Sequence, residues 1–434
     1  MRDVILFAGG KTHLNAEKLG EDYKLNSAAH QPDPKVEKAE PPSVKPPALA
    51  GGLLVLRYSR LGKMPPALYG TQILAEANLP VVVFEFDPQS KEDSVSRVEY
   101  PRVRKGFPAL DRWPHALRST AVLTLSFLTL ARWIVSQGRP RLVIAHGPLE
   151  LNLAVLLKFF FRIPYGVHVH EVYDYKTQRG LMKWTIYFEG FFLRLAEFTI
   201  FPEINRQRVY RERYRLKRPS LLVFNTPRRR DQREPMDLRK HLGISSRSFL
   251  VLYMGGVDHI NAVDELVRSL CHLPSDVHVV ITGWVTDDYK KYLLSIVSDH
   301  KLEGRVHLLG VVEPSKWPYI DAVDAAFCGY RNTELRTRYL ATASNKISEA
   351  ISAGVPVILL STPNFQEFLD QYPVGVLTLG LTAPAIAEAI KALHDDPMLR
   401  MQIRDRALHL HQSDLNYDFQ FRPVLDLLKK KYFG

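Results

Sequence analysis

Two cysteines, Cys271 and Cys328, are all that the 434 residues contain, too few for a disulfide framework or a Cys-based zinc site, so a reducing compartment is expected. Long apolar runs are also missing. The longest, between Arg118 and Arg132, has 13 residues and includes Ser and Thr, short of the roughly 18 needed to cross a bilayer, which argues against an integral membrane protein. The opening MRDVILFAGG has too brief an apolar stretch before Lys11 for a secretory signal and lacks its cleavage pattern, so the expected location is the cytoplasm. No repeat of short fixed period is present. No Asp-x-Asp occurs anywhere, so the commonest carboxylate pair for holding a divalent metal across a diphosphate is lacking.

What is present suits a globular chain of two domains: 46% apolar and 24% charged residues over a length too great for one ordinary core. Residues 31–50 carry six prolines among Lys, Glu and Ser, and residues 1–50 read as an extended tail. Then short β-branched runs alternate with helical patterns, the form of repeated βαβ units and a parallel sheet. The first half has strand candidates at Leu53–Tyr58, Val81–Phe86, Arg97–Val103, Leu142–His146, Gly166–His170 and Phe198–Pro202. The second half has them at Phe249–Met254, Val277–Thr282, Arg305–Val312, Ala325–Cys328, Val355–Leu360 and Val374–Leu379. Several end in glycine (Gly255, Gly283, Gly310, Gly380), where a ligand can approach the backbone, although ordinary turn glycines read the same way. Pro227 and the charged stretch 228–237 mark a hinge, dividing the chain into domains at 51–226 and 227–412. Asp237–Gly243 reads as a short helix with an Asp cap and a closing glycine.

The net charge of +12 is concentrated, with thirteen Lys or Arg against four Asp or Glu between Arg206 and Lys240. An anionic partner follows, as does the plainer reading of a solvated basic face. Nucleic acid is a poor choice, because few aromatics interleave with the basic residues.

The most informative segment is SNKISEAISAGVPVILLS, Ser344–Ser361. A polar cap leads into a short helix, Gly354 ends it, and a buried strand follows. Helical spacing puts Ile347, Ala350 and Ile351 on one face and Lys346 with Glu349 on another, which would turn the charged pair away from the core. Glu349 could accept hydrogen bonds from both hydroxyls of a ribose, or merely complement the helix dipole and pair with Lys346.

This segment resembles glycosyltransferase family 4, the glycosyl transferases group 1, in its Asn-Lys-hydrophobic-x-Glu helix followed by Ala-Gly-x-Pro-Val. Similar stretches are Leu238–Ile244 with Leu250–Gly256, VITGW ending at Trp284, RVHLLGVV, and FPEINRQR with LLVFNTP before the hinge. The resemblance implies a GT-B architecture, two Rossmann-like domains with parallel sheets facing across a cleft, and a final segment, 413–434, crossing back to the first domain. It implies a donor site for a nucleotide sugar built from Gly255, Gly256, Gly283, Trp284, Tyr330, Asn345, Lys346 and Glu349, with Glu349 on the ribose. It also assigns His170 a place beside the transferred sugar, making His170 and Glu349 the catalytic candidates. A retaining reaction without metal or other cofactor is expected, the departing phosphate taking the acceptor's proton.

Two departures from the family stand out. A second glutamate, expected eight positions before Glu349, is Ala341 here, and the Arg and Lys expected after the first strand of the second domain are missing from MGGVDHINAVDELV (Met254–Val267), where His259 is the one basic side chain. Diphosphate binding would then lean on amides of Gly255 and Gly256, on helix N-termini and on Lys346. These departures motivate an alternative, a catalytically inactive GT-B partner at the membrane. In GVHVHEVYDY (Gly166–Tyr175), His168 and His170 share a strand face ahead of Glu171; the cluster is a weak metal pattern with no third ligand evident from sequence, although His146 at another strand end could line the same cleft. Ala116–Trp133, Val155–Phe161 and Leu181–Leu195 are apolar, with aromatics beside Lys158, Arg162, Lys183 and Arg194. Core helices would look the same, but the pattern suits peripheral membrane contact and a saccharide or lipid-linked acceptor.

Overall fold

Both faces of VVVFEF are buried and so are most of those of LLVLRY, as expected where helices cover a parallel sheet on both sides. The computed structural model describes residues 49–59, 61–86, 102–110, 112–230, 236–312, 319–331 and 335–434. The proline-rich tail thus lies almost wholly outside the described residues, as do residues 97–101 of one expected strand. The first sheet has seven parallel strands in the order β3-β2-β1-β4-β5-β6-β7: β1 Leu53–Tyr58, β2 Val81–Phe86, β3 Arg102–Lys105, β4 Leu142–Ala145, β5 Tyr165–His168, β6 Phe198–Phe201 and β7 Ser220–Leu222. Its helices are α1 Pro65–Glu76, α2 His115–Gln137, α3 Pro148–Phe161, α4 Gly180–Leu195 and α5 Ile204–Tyr214.

The second sheet has six, β10-β9-β8-β11-β12-β13, again all parallel. Its strands are β8 Phe249–Met254, β9 Val277–Thr282, β10 Val306–Gly310, β11 Ala325–Phe327, β12 Val357–Leu360 and β13 Gly375–Thr378. Around them run α6 Leu238–His241, α7 Val263–Ser269, α8 Asp287–Asp299, α9 Leu335–Arg338, α10 Asn345–Ser352, α11 Pro363–Gln371, α12 Ala383–Asp395 and α13 Pro397–Ser413. Asp237 caps α6 by accepting from the Lys240 amide, and Gly243 closes it at φ 67°. In each sheet strand order reverses once, between β1 and β4 and between β8 and β11, and ligands of open α/β sheets bind at the carboxyl ends of such strands.

Residues 46–434 form one compact unit holding both sheets. The chain passes between them at 225–227 and again at 413–417, and the two passages are hydrogen-bonded side by side. Thr226 Oγ1 donates to the Leu415 carbonyl at 2.6 Å, and the Tyr417 amide donates to the Pro227 carbonyl at 2.9 Å. Helices α14 Tyr417–Gln420 and α15 Arg422–Leu428 then bury Tyr417, Phe421, Val424 and Leu428 in the core of the first sheet, against residues such as Leu53, Val55 and Ala67.

Part of the basic stretch is used inside the fold, whereas Arg208, Arg211, Arg213, Arg215, Lys217 and Arg218 stay exposed. Arg206 is buried and donates to the carbonyls of His170 and Tyr339. Arg228 pairs with Glu76 and Asp418, Arg230 with Asp321, and Arg239 with Asp324. A correction concerns α2. Leu117–Gln137 is long and apolar enough to cross a membrane by length and composition, with a third of its most apolar window buried. The apolar run ends at Arg132, but the helix continues past it, one charge being tolerated in a turn whose neighbours are Leu, Ala, Trp and Ile.

Candidate functional site

At the switch point of the second sheet, β8 ends in Met254 and turns through Gly255 (φ 122°), while β9 ends in Thr282 and turns through Gly283 (φ 132°). A Cβ on Gly283 would lie 1.8 Å from the Gly255 carbonyl oxygen. The two turns touch backbone to backbone, and only glycine allows both the contact and the positive φ. Gly283→Ala should therefore cost about 3 kcal/mol or more in denaturant unfolding, and it should do so by parting the loops that floor the cavity.

That cavity holds about 570 Å³. Met254, Gly255, Asn261, Gly283, Tyr330, Asn345, Lys346 and Glu349 line it from the second domain, and Pro65 and Glu171 from the first. Of the expected donor residues, Gly256 and Trp284 fall outside this lining; Trp284 is two-thirds exposed. Helix α10 presents its N-terminal end to the cavity, with Asn345 exposed there. Its charged side does not face away from the core as helical spacing alone suggested. Glu349 is 4% exposed and reaches the cavity wall, on a helix that packs against both α13 and β12.

Lys346 is held rather than paired with Glu349. Its ammonium donates to Tyr253 Oη at 3.1 Å and Asn261 Oδ1 at 2.9 Å, and it sits 4.4 Å from the ring centroids of both Tyr253 and Tyr330. Burial pulls its pKa down to about 8, opposed by the nearby Cys328 and Asp258. Asn261 is fixed in turn: its amide nitrogen donates to Asp258 at 2.7 Å and to the Gly256 carbonyl at 3.0 Å. That carbonyl also accepts from the Tyr253 hydroxyl. Tyr330 bonds Ser344 through its hydroxyl at 2.6 Å, and burial raises the pKa of both tyrosines, keeping them neutral. Tyr253, Asp258 and Asn261 were not legible as site residues. The one signal was the D-x-x-N spacing after the β8 glycines, in which Asp258 caps the turn at Asn261.

His259, the one basic side chain of that loop, turns outward to Tyr289 and Tyr292. At Ala341, where the family's second glutamate would stand, the side chain is buried, and its amide and that of Leu340 both donate to Asn364 Oδ1 at 3.1 Å.

A second cavity of about 340 Å³ lies at the switch point of the first sheet and shares Glu171 with the first. Arg57, Glu150, His146, His168 and His170 border it. Arg57 donates to Glu150 at 2.7 Å and to the His146 carbonyl at 2.9 Å, and burial raises the Glu150 pKa against the pull of that guanidinium. His146 Nδ1 and His170 Nε2 are 3.1 Å apart. The structure thus supplies the third histidine that the strand motif lacked, from a neighbouring strand end.

Residues 248–396 match the protein-family model of glycosyl transferases group 1. The match spans about a third of the chain, within the second domain, and the chain as a whole has the GT-B fold. Among solved structures, HepE of Anabaena in complex with UDP and glucose superposes with a TM-score of 0.70 at 16% identity, covering 87% of this chain and 99% of that one. Sucrose-phosphate synthase of Thermosynechococcus elongatus gives 0.66 at 17%, covering 88% and 98%. WaaG, a glycosyltransferase of lipopolysaccharide biosynthesis, gives 0.61 at 12%, covering 86% and 99%. At these identities the likeness is one of fold. No curated protein sequence matches the chain.

Proposed function

We propose that this glycosyltransferase moves a sugar from a nucleotide-sugar donor, seated in the larger cavity, to a saccharide or lipid-linked acceptor that enters beside His170. The observation that carries the reading is that a buried carboxylate, Glu349, and a half-buried ammonium, Lys346, stand on one wall of the switch-point cavity. A carboxylate there suits the ribose hydroxyls, and an ammonium beside the Gly255 turn suits a diphosphate. Transfer with retention, and a diphosphate held by Lys346 and backbone amides rather than by a metal, belong to the same reading. HepE structures hold UDP, with glucose in one and as UDP-glucose in another, which makes uridine diphosphate sugars the first donors to try. Calorimetric titration with nucleoside diphosphates, followed by a donor library with membrane extract as acceptor, tests it. A chain that binds none of the nucleotides would sink the reading.

A place at the cytoplasmic face of a membrane, in cell-surface polysaccharide or glycolipid synthesis, is part of the proposal. Trp184, Tyr187, Phe188 and Phe191 recur at i, i+3, i+4 and i+7 on α4, and all four are exposed, while Ile186, Glu189 and Leu193 of the same helix are buried. Phe159 and Phe160 of α3 and Leu125 and Leu128 of α2 are exposed as well, and the three helices pack on one another. Lys176, Arg179, Lys183 and Arg194 stand exposed around them. An aromatic stripe flanked by cations suits an anionic headgroup layer. Replacing Trp184, Phe188 and Phe191 together with Ser should lower partitioning onto anionic vesicles by roughly tenfold or more in flotation, with nucleotide binding unchanged.

A further inference from the structure

Three imidazoles converge above the first sheet: His168 ends β5, His170 follows two residues later, and His146 follows β4. One ring nitrogen from each lies within 4.8 Å of the other two. His168 and His170 stack with centroids 3.9 Å apart. All three are buried, and His168 is completely so. Neither ring nitrogen of His168 has a hydrogen-bond partner among the described residues. A buried polar group without a partner is uncommon and calls for an explanation such as an ion or an ordered water.

We propose that His146, His168 and His170 form a binding site for a first-row divalent transition metal, zinc above all, with a fourth coordination position open to the 340 Å³ cavity. An all-imidazole donor set suits zinc, cobalt, nickel or copper and not magnesium or calcium, which take oxygen ligands. Zn–N bonds of about 2.0–2.1 Å in a tetrahedron set neighbouring nitrogens roughly 3.4 Å apart. The 3.1 Å separation of His146 and His170 is already close to that value, and ring rotation would bring in His168. The backbones that carry two of the ligands are clamped, since Arg57 holds the His146 carbonyl and Arg206 the His170 carbonyl. Arg57 is itself paired with Glu150, which offsets its repulsion of a cation. The site lies in the first domain and is distinct from the donor wall at Lys346 and Glu349.

The test uses the untagged full chain, stripped with EDTA. Zinc is titrated against a chromophoric chelator, cobalt is followed by visible absorption, and unfolding is recorded with and without zinc. We expect one equivalent of zinc bound, a tetrahedral cobalt spectrum, a higher melting temperature with zinc, and no response to magnesium. His168→Leu should weaken zinc roughly a hundredfold while melting no lower than the parent in EDTA, since no hydrogen bond is lost; His146→Gln serves as the second ligand variant if His168→Leu does not fold. Absence of stoichiometric zinc binding overturns the proposal, as does zinc affinity unchanged in the folded ligand variant.

Discussion

Glu349→Ala should abolish detectable nucleoside diphosphate binding at concentrations that saturate the parent protein. Charge-assisted hydrogen bonds are worth about 1.5–3 kcal/mol each, so a carboxylate engaging both ribose hydroxyls accounts for at least roughly a hundredfold in affinity. Glu349 is the acidic side chain that α10 brings to the cavity wall. Glu349→Gln separates charge from shape: it keeps two hydrogen-bonding atoms and should recover part of the affinity. Calorimetry on the three proteins, with circular dichroism to confirm folding, reads both. Equal affinity in all three would mean that the ribose is held elsewhere.

Lys346→Met should lower the transfer rate by roughly 10²–10³-fold, the size expected when one charged stabiliser of a departing phosphate is removed. Methionine fills the slot between the Tyr253 and Tyr330 rings, so the loss would report charge rather than a collapsed wall. The pH response has a definite sign. With a pKa near 8 in the free protein, the ammonium is charged below that value and increasingly neutral above it, so diphosphate affinity should fall as pH rises through about 8. Lys346→Met should remove this dependence. Asn261→Ala should do something subtler: it takes away one of the two oxygen partners of the ammonium, and donor affinity should drop by roughly tenfold with the pH midpoint displaced.

Most of the fold was legible because β-branched runs and their closing glycines are local signals. All twelve strand candidates correspond to strands, their described ends lying within two residues of the observed positions. The site was legible only where a motif held its parts in sequence, as in Asn345–Glu349. Tyr253, Asp258 and Asn261 come from a strand and loop whose residues are unremarkable singly; Tyr253 and Asn261 meet Lys346 across more than eighty residues, and Asp258 holds Asn261. The outward orientation assigned to Lys346 and Glu349 failed for a related reason. Periodicity knows the face of a helix against its own sheet, but not the second surface that covers the other face. A count of charges in the basic stretch likewise cannot register that Arg228, Arg230 and Arg239 each meet a carboxylate distant in sequence.

The paired passages between the sheets restrict motion. The two passages are pinned together at Thr226–Leu415 and Pro227–Tyr417, so neither can shift without the other. Beside them the domains are tied again at Arg206–Tyr339, Pro202–Thr342 and Glu203–Asn364, so the wall carrying Glu349 is braced directly against the domain that carries His170.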